Sequence, residues 1–265
     1  MEVVEKIERA LEIDPEKVEK TIVDFLRMEV SKAGAAGVVF GLSGGVDSAV
    51  VGSLCARALG PEKVLALLLP ERGVTPKRDV EDAKMLAKGL GIRWREIDIS
   101  PILRAFQGVI EGRQRLPIAN LKPRVRMTLL YYHANLLGRL VVGTGNRSEL
   151  RMGYFTKFGD GGADLMPLGG LYKTQVKKLA EYLGVPARII RKTPSAGLWR
   201  GQTDEGELGI SYEKLDRILV GLDLGFRPRE IAEALGVGVA MVEGLIEREK
   251  RNAHKLRPVL IPTVK

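Results

Sequence analysis

The chain has 265 residues, of which 45% are hydrophobic, and this proportion favours a folded protein over a disordered one. A single cysteine excludes an internal disulfide bond, and no apolar run is long enough to suggest a membrane span. The net charge of +9 suits a polyanionic partner, either a nucleic acid or a small substrate with several phosphates. The amphipathic N-terminal segment is not typical of a secretory signal, so we expect a cytoplasmic protein without a membrane partner.

Predicted strands and helices alternate through the first half of the sequence. Apolar residues recur at helical spacing in residues 15–33, whereas residues 36–42 form a short apolar run that leads into a glycine-rich turn. The predicted elements, in chain order, are helices 2–12 and 15–33, strand 36–42, helix 47–59, strand 64–69, helix 76–90, strand 92–99, helices 101–111 and about 121–137, and strand 139–142.

This order predicts an α/β fold: a doubly wound, Rossmann-like parallel sheet with extra helices at the N- and C-termini. We expect one domain over residues 1–265, with the sheet and its helices in about 34–190. Ligands of such sheets bind beyond the carboxyl ends of the strands. Residues 41–48 and 143–149 each follow a predicted strand, so we expect them to meet at one edge.

The second half of the sequence is mainly helical but contains one long irregular segment. Helices are predicted at 172–184 and 186–191, and three short helices at 211–252. Between them, residues 193–209 show little periodicity. A compact domain rarely keeps so long a loop without a use, and we expect a lid over a site.

The segment from Phe226 to Ile246 is similar to a helix-turn-helix, which keeps DNA binding open as an alternative. Its second helix would contain MVEGLIEREK, whose three glutamates would face phosphate unfavourably. We therefore favour a helical packing unit and expect no nucleic-acid partner.

The string GLSGGVDS, residues 41–48, predicts a phosphate-binding turn between a strand and a helix. Glycines let backbone N–H groups approach an anion, and the helix N-terminus adds partial positive charge. Neither a Walker A loop nor GxGxxG fits, because no lysine follows and the glycine spacing differs. A carboxylate beside phosphates needs a cation between them, so Asp47 is a candidate ligand of Mg²⁺.

This string resembles the pyrophosphate-binding loop of the ATP pyrophosphatases, an adenine nucleotide alpha-hydrolase-like superfamily. Later blocks resemble the signatures of one of its members, the ammonia-dependent NAD synthetase family, in the same order. The blocks are NLKPRVRM at 120–127, GTGNRSE at 143–149, GYFTKFGDGGAD at 153–164, and TPSAGL at 193–198 followed by QTDE at 202–205.

The resemblance implies amidation of deamido-NAD (nicotinic acid adenine dinucleotide) to NAD. In that reaction ATP adenylates the substrate carboxylate and releases pyrophosphate, and ammonia then displaces AMP. The chain has no room for a fused glutaminase domain, and Cys55 lies in an apolar helix rather than a nucleophile motif, so free ammonia is the expected donor. A tRNA-modifying adenylating enzyme of the same superfamily is the alternative.

The resemblance also assigns residues to ligands. ATP contacts are expected at Gly41, Leu42, Ser43, Gly44, Gly45, Val46, Asp47, Ser48, Thr144, Lys173 and Ser195. Deamido-NAD contacts are expected at Arg124, Lys157, Asp164, His254 and Lys255. Asp47 and Glu149 would share Mg²⁺, and the catalytic residues would be Lys173, which offsets charge on the leaving pyrophosphate, and Asp160, which guides or deprotonates ammonium. Members of this family act as homodimers, and we expect the same here.

Overall fold

The computed structural model describes residues 2–112 and 114–264 of the chain. It consists mainly of helices, with short strands between residues 38 and 142. The elements are α1 (Glu2–Leu11), α2 (Pro15–Lys32), β1 (Val38–Gly41), α3 (Val46–Leu59), β2 (Val64–Leu68), α4 (Lys77–Gly89), β3 (Arg93–Glu96), α5 (Ser100–Gln107), α6 (Arg115–Leu137), β4 (Leu140–Val142), α7 (Arg147–Met152), α8 (Lys173–Tyr182), α9 (Ala187–Ile190), α10 (Asp204–Leu208), α11 (Tyr212–Asp223), α12 (Pro228–Leu235) and α13 (Val239–Asn252).

The strands form one parallel sheet in the order β3-β2-β1-β4. Val38 of β1 lies opposite Val64 of β2 on one side and Leu140 of β4 on the other. The chain thus runs outward from β1 to β3 and then returns to the far side of β1. Strand order reverses between β1 and β4, which is the position where doubly wound sheets bind their ligands.

Helices cover both faces of the sheet. Successive side chains of a strand point to opposite faces, so apolar strand residues pack against helices on both sides. Phe40 packs with Leu54 of α3 in one apolar cluster, and its neighbour Val39 packs with Leu103 of α5 in another. The predicted doubly wound α/β fold is therefore confirmed. Cys55 is fully buried in the first cluster, as predicted, and burial raises the pKa of its thiol to about 12.

A third apolar cluster joins the N-terminal helix to the last three helices. Ile7 of α1 packs there with Tyr212 of α11, Ile231 of α12 and Val242 of α13. The predicted extra helices and the interpretation of α12 and α13 as a packing unit are both confirmed. No helix of the described residues is long and apolar enough to cross a membrane.

Three boundaries differ from the predicted ones by three residues or more, and one of them is the end of α5, which lies at Gln107 rather than at residue 111. Helix α6 begins at Arg115 rather than near residue 121, so Pro123 lies inside it, where a proline removes one helical hydrogen bond. Pro123 is buried beside Gly159, and this packing offsets the lost bond. Strand β3 ends at Glu96 rather than at Ile99, because Ile99 already serves as the N-cap of α5.

A buried carboxylate connects three helices below the sheet edge. Asp216 of α11 is fully buried and accepts hydrogen bonds from the Ser148 hydroxyl at 2.5 Å and from the Thr174 N–H at 2.8 Å. Ser148 lies on α7 and Thr174 on α8. The C-terminal helices therefore support the segments that follow β4.

Replacing this carboxylate, Asp216→Ala, leaves two buried donors without acceptors. We expect the free energy of unfolding to fall by about 3 kcal/mol, measured by urea denaturation. The control is Glu213→Ala on the same helix, which removes only a partly exposed ion pair with Lys177 and should cost less than about 1 kcal/mol. Equal losses in the two variants would contradict a structural role for Asp216.

Candidate active site

A cleft of about 590 Å³ opens at the carboxyl ends of β1, β2 and β4. Its floor includes Leu42 after β1, Leu69 after β2 and Gly143 after β4. Residues of the 193–209 segment and of α13 line its other sides. The two glycine-rich segments that follow β1 and β4 thus share one cavity, as predicted from their order in the sequence.

The turn after β1 is held by its own hydroxyl groups. The backbone N–H of Ser43 donates to Ser48 Oγ at 3.2 Å, and the N–H of Gly45 donates to Ser43 Oγ at 3.2 Å. Gly44 has a φ of +80°, and a Cβ there would lie 2.3 Å from the carbonyl oxygen of Asp79, so only glycine fits. Helix α3 starts directly afterwards without a side-chain cap, which leaves its first N–H groups available to an anion.

A buried lysine joins the acids that follow β1 and β4. Lys173 is 2% exposed, and its Nζ lies 2.5 Å from Asp47 Oδ2 and 3.5 Å from Glu149 Oε1. Asn146 donates from Nδ2 to Asp47 Oδ1 at 3.0 Å, and its backbone N–H donates to Glu149 Oε2 at 3.2 Å. Segments far apart in sequence therefore converge on a single ammonium group.

The charges around this ammonium do not balance. Asp204 of α10 is 4% exposed and belongs to the same group of interacting charges, so three carboxylates surround one lysine. Tyr212 donates to Asp204 Oδ2 at 3.2 Å, whereas the buried Oδ1 has no hydrogen-bond partner among the described residues. Burial raises the pKa of Glu149 to about 8 and also raises the pKa of Asp204. An added cation would relieve this excess of negative charge.

The 193–209 segment lies across the cleft and is fixed at several points. Lys122 is 7% exposed and donates from Nζ to the carbonyl of Leu198 at 2.5 Å, while the same atom lies 2.6 Å from Glu71 Oε2. Gln202 and Tyr154 both donate to one oxygen of Glu207, at 2.7 and 2.6 Å. The segment predicted to be irregular contains α10 near its end.

Comparisons with known proteins agree with this geometry. Residues 18–259 match the family model described as NAD synthase. The NH(3)-dependent NAD(+) synthetase of Methanosarcina acetivorans is 50% identical over 253 residues, which cover 94% of this chain and 99% of that protein. The chain belongs to the NAD synthase family.

Two solved structures of similar proteins extend this result to the fold. An NMN synthetase from Francisella tularensis has a TM-score of 0.85 and 38% identity, covering 96% of this chain and all of that one. An NH3-dependent NAD synthetase from Campylobacter jejuni has a TM-score of 0.82 and 34% identity, covering 95% of this chain and all of that one. The NAD synthase fold, a parallel sheet between helices, is therefore common to all three chains.

Most residues that the NAD synthase resemblance assigns to ATP line the cleft. They are Gly41, Leu42, Ser43, Gly45, Val46, Asp47, Ser48, Thr144, Lys173 and Ser195, and Glu149 and Asp160 line it as well. Gly44 does not, since it packs against Asp79. The geometry brings these residues together, and their individual roles stay predictions.

Residues assigned to deamido-NAD divide into two groups. Lys255 lines the cleft, but its Nζ already donates to the carbonyls of Gly153 at 2.6 Å and Phe155 at 3.0 Å. The other four lie outside the lining: Arg124, Lys157, Asp164 and His254.

Those outer four make contacts within the chain. The Lys157 Nζ donates to the His254 carbonyl at 2.8 Å, and Arg124 donates to the Lys157 carbonyl at 3.4 Å. Asp164 accepts from the backbone N–H of Val141 at 2.7 Å, so it also supports β4. A substrate role for these residues stays a prediction.

Several residues of this site lie in or beside the motif blocks, although the resemblance assigns them no role. Asn146 and Asp204 belong to the blocks GTGNRSE and QTDE, and Arg126 belongs to NLKPRVRM. Lys192 precedes the TPSAGL block and donates to the Gly44 carbonyl at 2.7 Å. Sequence spacing could not identify them, because their partners lie on other elements. Their position inside or directly beside a recognisable block was the only available signal in the sequence.

The contact of Lys122 with the 193–209 segment predicts how that segment opens. Lys122→Met removes the donor to the Leu198 carbonyl, so we expect protease cleavage within 193–209 to become about tenfold faster. The control is Lys178→Met, which removes only a surface ion pair with Glu12. ATP with deamido-NAD should protect the wild-type segment. Equal cleavage of both variants and the wild type would show that Lys122 does not hold the segment closed.

Proposed function

We propose that this protein is a ligase that forms the amide C–N bond of NAD from deamido-NAD, ammonia and ATP. The observation that carries the proposal is the convergence of the phosphate-binding turn, Asp47, Glu149 and Lys173 in one cleft of an NAD synthase fold. Relatives at similar length are NH(3)-dependent NAD(+) synthetases. We place the reaction in the cytoplasm, where a single reduced cysteine such as Cys55 is ordinary.

The first half-reaction activates the carboxylate. One carboxylate oxygen of deamido-NAD bonds to the α-phosphorus of ATP, and the bond from that phosphorus to the β,γ-diphosphate breaks. Pyrophosphate leaves with the bonding electrons. The N–H groups at the start of α3 and the ammonium of Lys173 face the growing negative charge, which makes them the groups that stabilise this step.

The residues at the sheet edge fit Mg²⁺. Asp47 and Glu149 supply hard oxygen ligands, and Mg²⁺ commonly combines one or two carboxylates with substrate phosphates. No group of three potential ligands within residues 2–112 and 114–264 would hold a metal ion alone, which agrees with phosphate completing the site. The ion would neutralise charge on pyrophosphate. Lys173 would keep both carboxylates in place for it.

The second half-reaction needs neutral ammonia. Its nitrogen bonds to the acyl carbon, the bond from that carbon to the AMP oxygen breaks, and a proton leaves the nitrogen. Asp160 faces the cleft and accepts a hydrogen bond from the Thr156 N–H at 2.9 Å. Desolvation by the surrounding protein raises its pKa, which makes it a better proton acceptor than a carboxylate in open solvent.

One solved relative introduces a second candidate product. The Francisella tularensis protein is an NMN synthetase, and it shares the fold over 96% of this chain. The corresponding substrate here would be nicotinic acid mononucleotide. A tRNA substrate is not favoured, because the relatives that carry the family assignment are NAD synthetases.

The decisive assay supplies ATP, Mg²⁺, ammonium and either deamido-NAD or nicotinic acid mononucleotide, with products separated by chromatography. We expect NAD, AMP and pyrophosphate in equal amounts from deamido-NAD, and kcat/KM at least about tenfold higher than for the mononucleotide. Removal of Mg²⁺ by EDTA should stop both half-reactions. Formation of ADP and phosphate, or a preference for the mononucleotide, would contradict the proposal.

We also propose that the active unit is a homodimer. Helices α5 and α6 and their connection leave apolar side chains exposed, including Phe106, Val109, Leu116, Tyr132 and Leu136. Val109 is 80% exposed and Leu136 is 62% exposed. Exposed apolar side chains on neighbouring elements favour association, and a second copy is the occupant that the family resemblance implies. Arg124 lies on the same helix, so the second copy would approach the deamido-NAD residues outside the cleft lining.

A charge placed on this surface should separate the copies. We expect Leu136→Glu to shift the molar mass measured by light scattering from dimer to monomer at micromolar concentration, since burying the glutamate is costly. Met28→Glu, on an exposed position of α2, is the control and should remain dimeric. A wild-type protein that is monomeric at the same concentration would refute the homodimer.

A further inference from the structure

Arg126 lies on the floor of the cleft without a role in the reaction described so far. It belongs to α6, and its Nε donates to the carbonyl of Leu69 at 3.0 Å. Leu69 directly follows β2, so this bond fixes the guanidinium at the carboxyl edge of the sheet, where the other cleft residues meet.

Arg126 lines the cleft, and its two terminal nitrogens are not among the fully buried polar atoms without a partner, so a ligand in the cleft can reach them. Among the described residues neither has a hydrogen-bond acceptor, and no carboxylate lies within ion-pair distance of the guanidinium. A guanidinium presents paired donors in a planar fork that matches the two oxygens of a carboxylate. Fixed through Nε and open at its terminal nitrogens, Arg126 has the form of a bidentate anion site.

The surrounding charges favour an anion at this position. The carboxylates whose charge acts on Arg126 are those of Glu71 and Asp160. Glu71 is already paired with Lys122 at 2.6 Å, and Lys255 adds a further cation beside Asp160. Three cations therefore face two carboxylates. Around Lys173, by contrast, the charges of three carboxylates act on one cation.

The position of Asp160 indicates which anion binds. The resemblance assigns the ATP phosphates to the turn after β1 and to Lys173, which leaves Arg126 for another anion. Arg126 lies near Asp160, the residue proposed to act on the attacking ammonia. An anion between these two groups is the one whose carbon ammonia attacks, which is the acid group of the substrate.

We propose that Arg126 binds the reacting carboxylate of the pyridine ring through its two terminal nitrogens and thereby distinguishes the acid substrate from the amide product. The inference rests on the proposed function. The product amide has no negative charge and offers the guanidinium one acceptor oxygen and one NH2 group in place of two acceptor oxygens, so the contact that holds the acid is weaker with the amide.

The test compares two ligands that differ only in this group, deamido-NAD and NAD, by isothermal titration calorimetry in the absence of ATP. In Arg126→Met we expect deamido-NAD to bind about 30-fold more weakly, as for the loss of a charge-assisted hydrogen-bond pair, with NAD affinity changed less than about threefold. Arg126→Lys keeps the charge but loses the fork, and should lie between the wild type and the methionine variant.

The matched control is Arg124→Met, two positions earlier on the same helix. The resemblance assigns Arg124 to deamido-NAD, and its positive charge suits the diphosphate that both ligands share, so its loss should weaken acid and amide by the same factor. Thermal unfolding of each variant checks that loss of the Leu69 contact leaves the fold intact. If Arg126→Met does not fold, Arg126→Lys alone decides.

Two results would overturn the inference: equal weakening of deamido-NAD and NAD in the Arg126 variants, or unchanged affinity for deamido-NAD. A wild type that binds the two ligands equally would overturn it as well. Failure of the proposed function has a different signature, because the wild type would then neither bind deamido-NAD nor convert it with ATP and ammonium.

Discussion

The position of the Lys173 ammonium is the constraint on which the rest of the site depends. A fully desolvated cation is tolerated only beside opposite charge, and Asp47 and Glu149 provide it from segments that follow different strands. Removing one partner of such a buried pair typically costs about 3–5 kcal/mol, so the pairing holds α3, α7 and α8 in a common arrangement. Because Asp47 lies at the start of α3, the pairing also holds the glycine-rich turn that precedes this helix.

The C-terminal helices also contribute residues to the surroundings of Lys173 and to the cleft. The aromatic ring of Tyr212 lies 5.2 Å from the Lys173 ammonium, and Arg248 of α13 lines the cleft. Some of the basic residues that kept DNA binding open as an alternative therefore line the cleft. Ile231 and Val242, the apolar residues of the supposed helix-turn-helix, pack in the same cluster as Tyr212.

The fold could be predicted from local patterns because its core elements follow them closely. Short apolar runs and glycine stops placed the strands, and the glycine turn marked the start of α3. The start of α6 was wrong, since the packing that accommodates Pro123 comes from Gly159, a distant residue. The convergence of Asp47 with Glu149 was predictable from strand ends. The places of Lys122, Arg126 and Asp204 in the site were not predictable, because a contact with a residue on another element leaves no periodic pattern in the sequence.

Lys192 connects two parts of the site that the chain separates by about 150 residues. It anchors the turn through the Gly44 carbonyl and is itself held by Asp79 and Asp82 at 2.9 and 3.0 Å. Since the 193–209 segment begins at the next residue, its start is tied to the glycine-rich turn after β1 through the bond from Lys192 to the Gly44 carbonyl. A displacement of that turn would therefore be transmitted directly to the start of the segment.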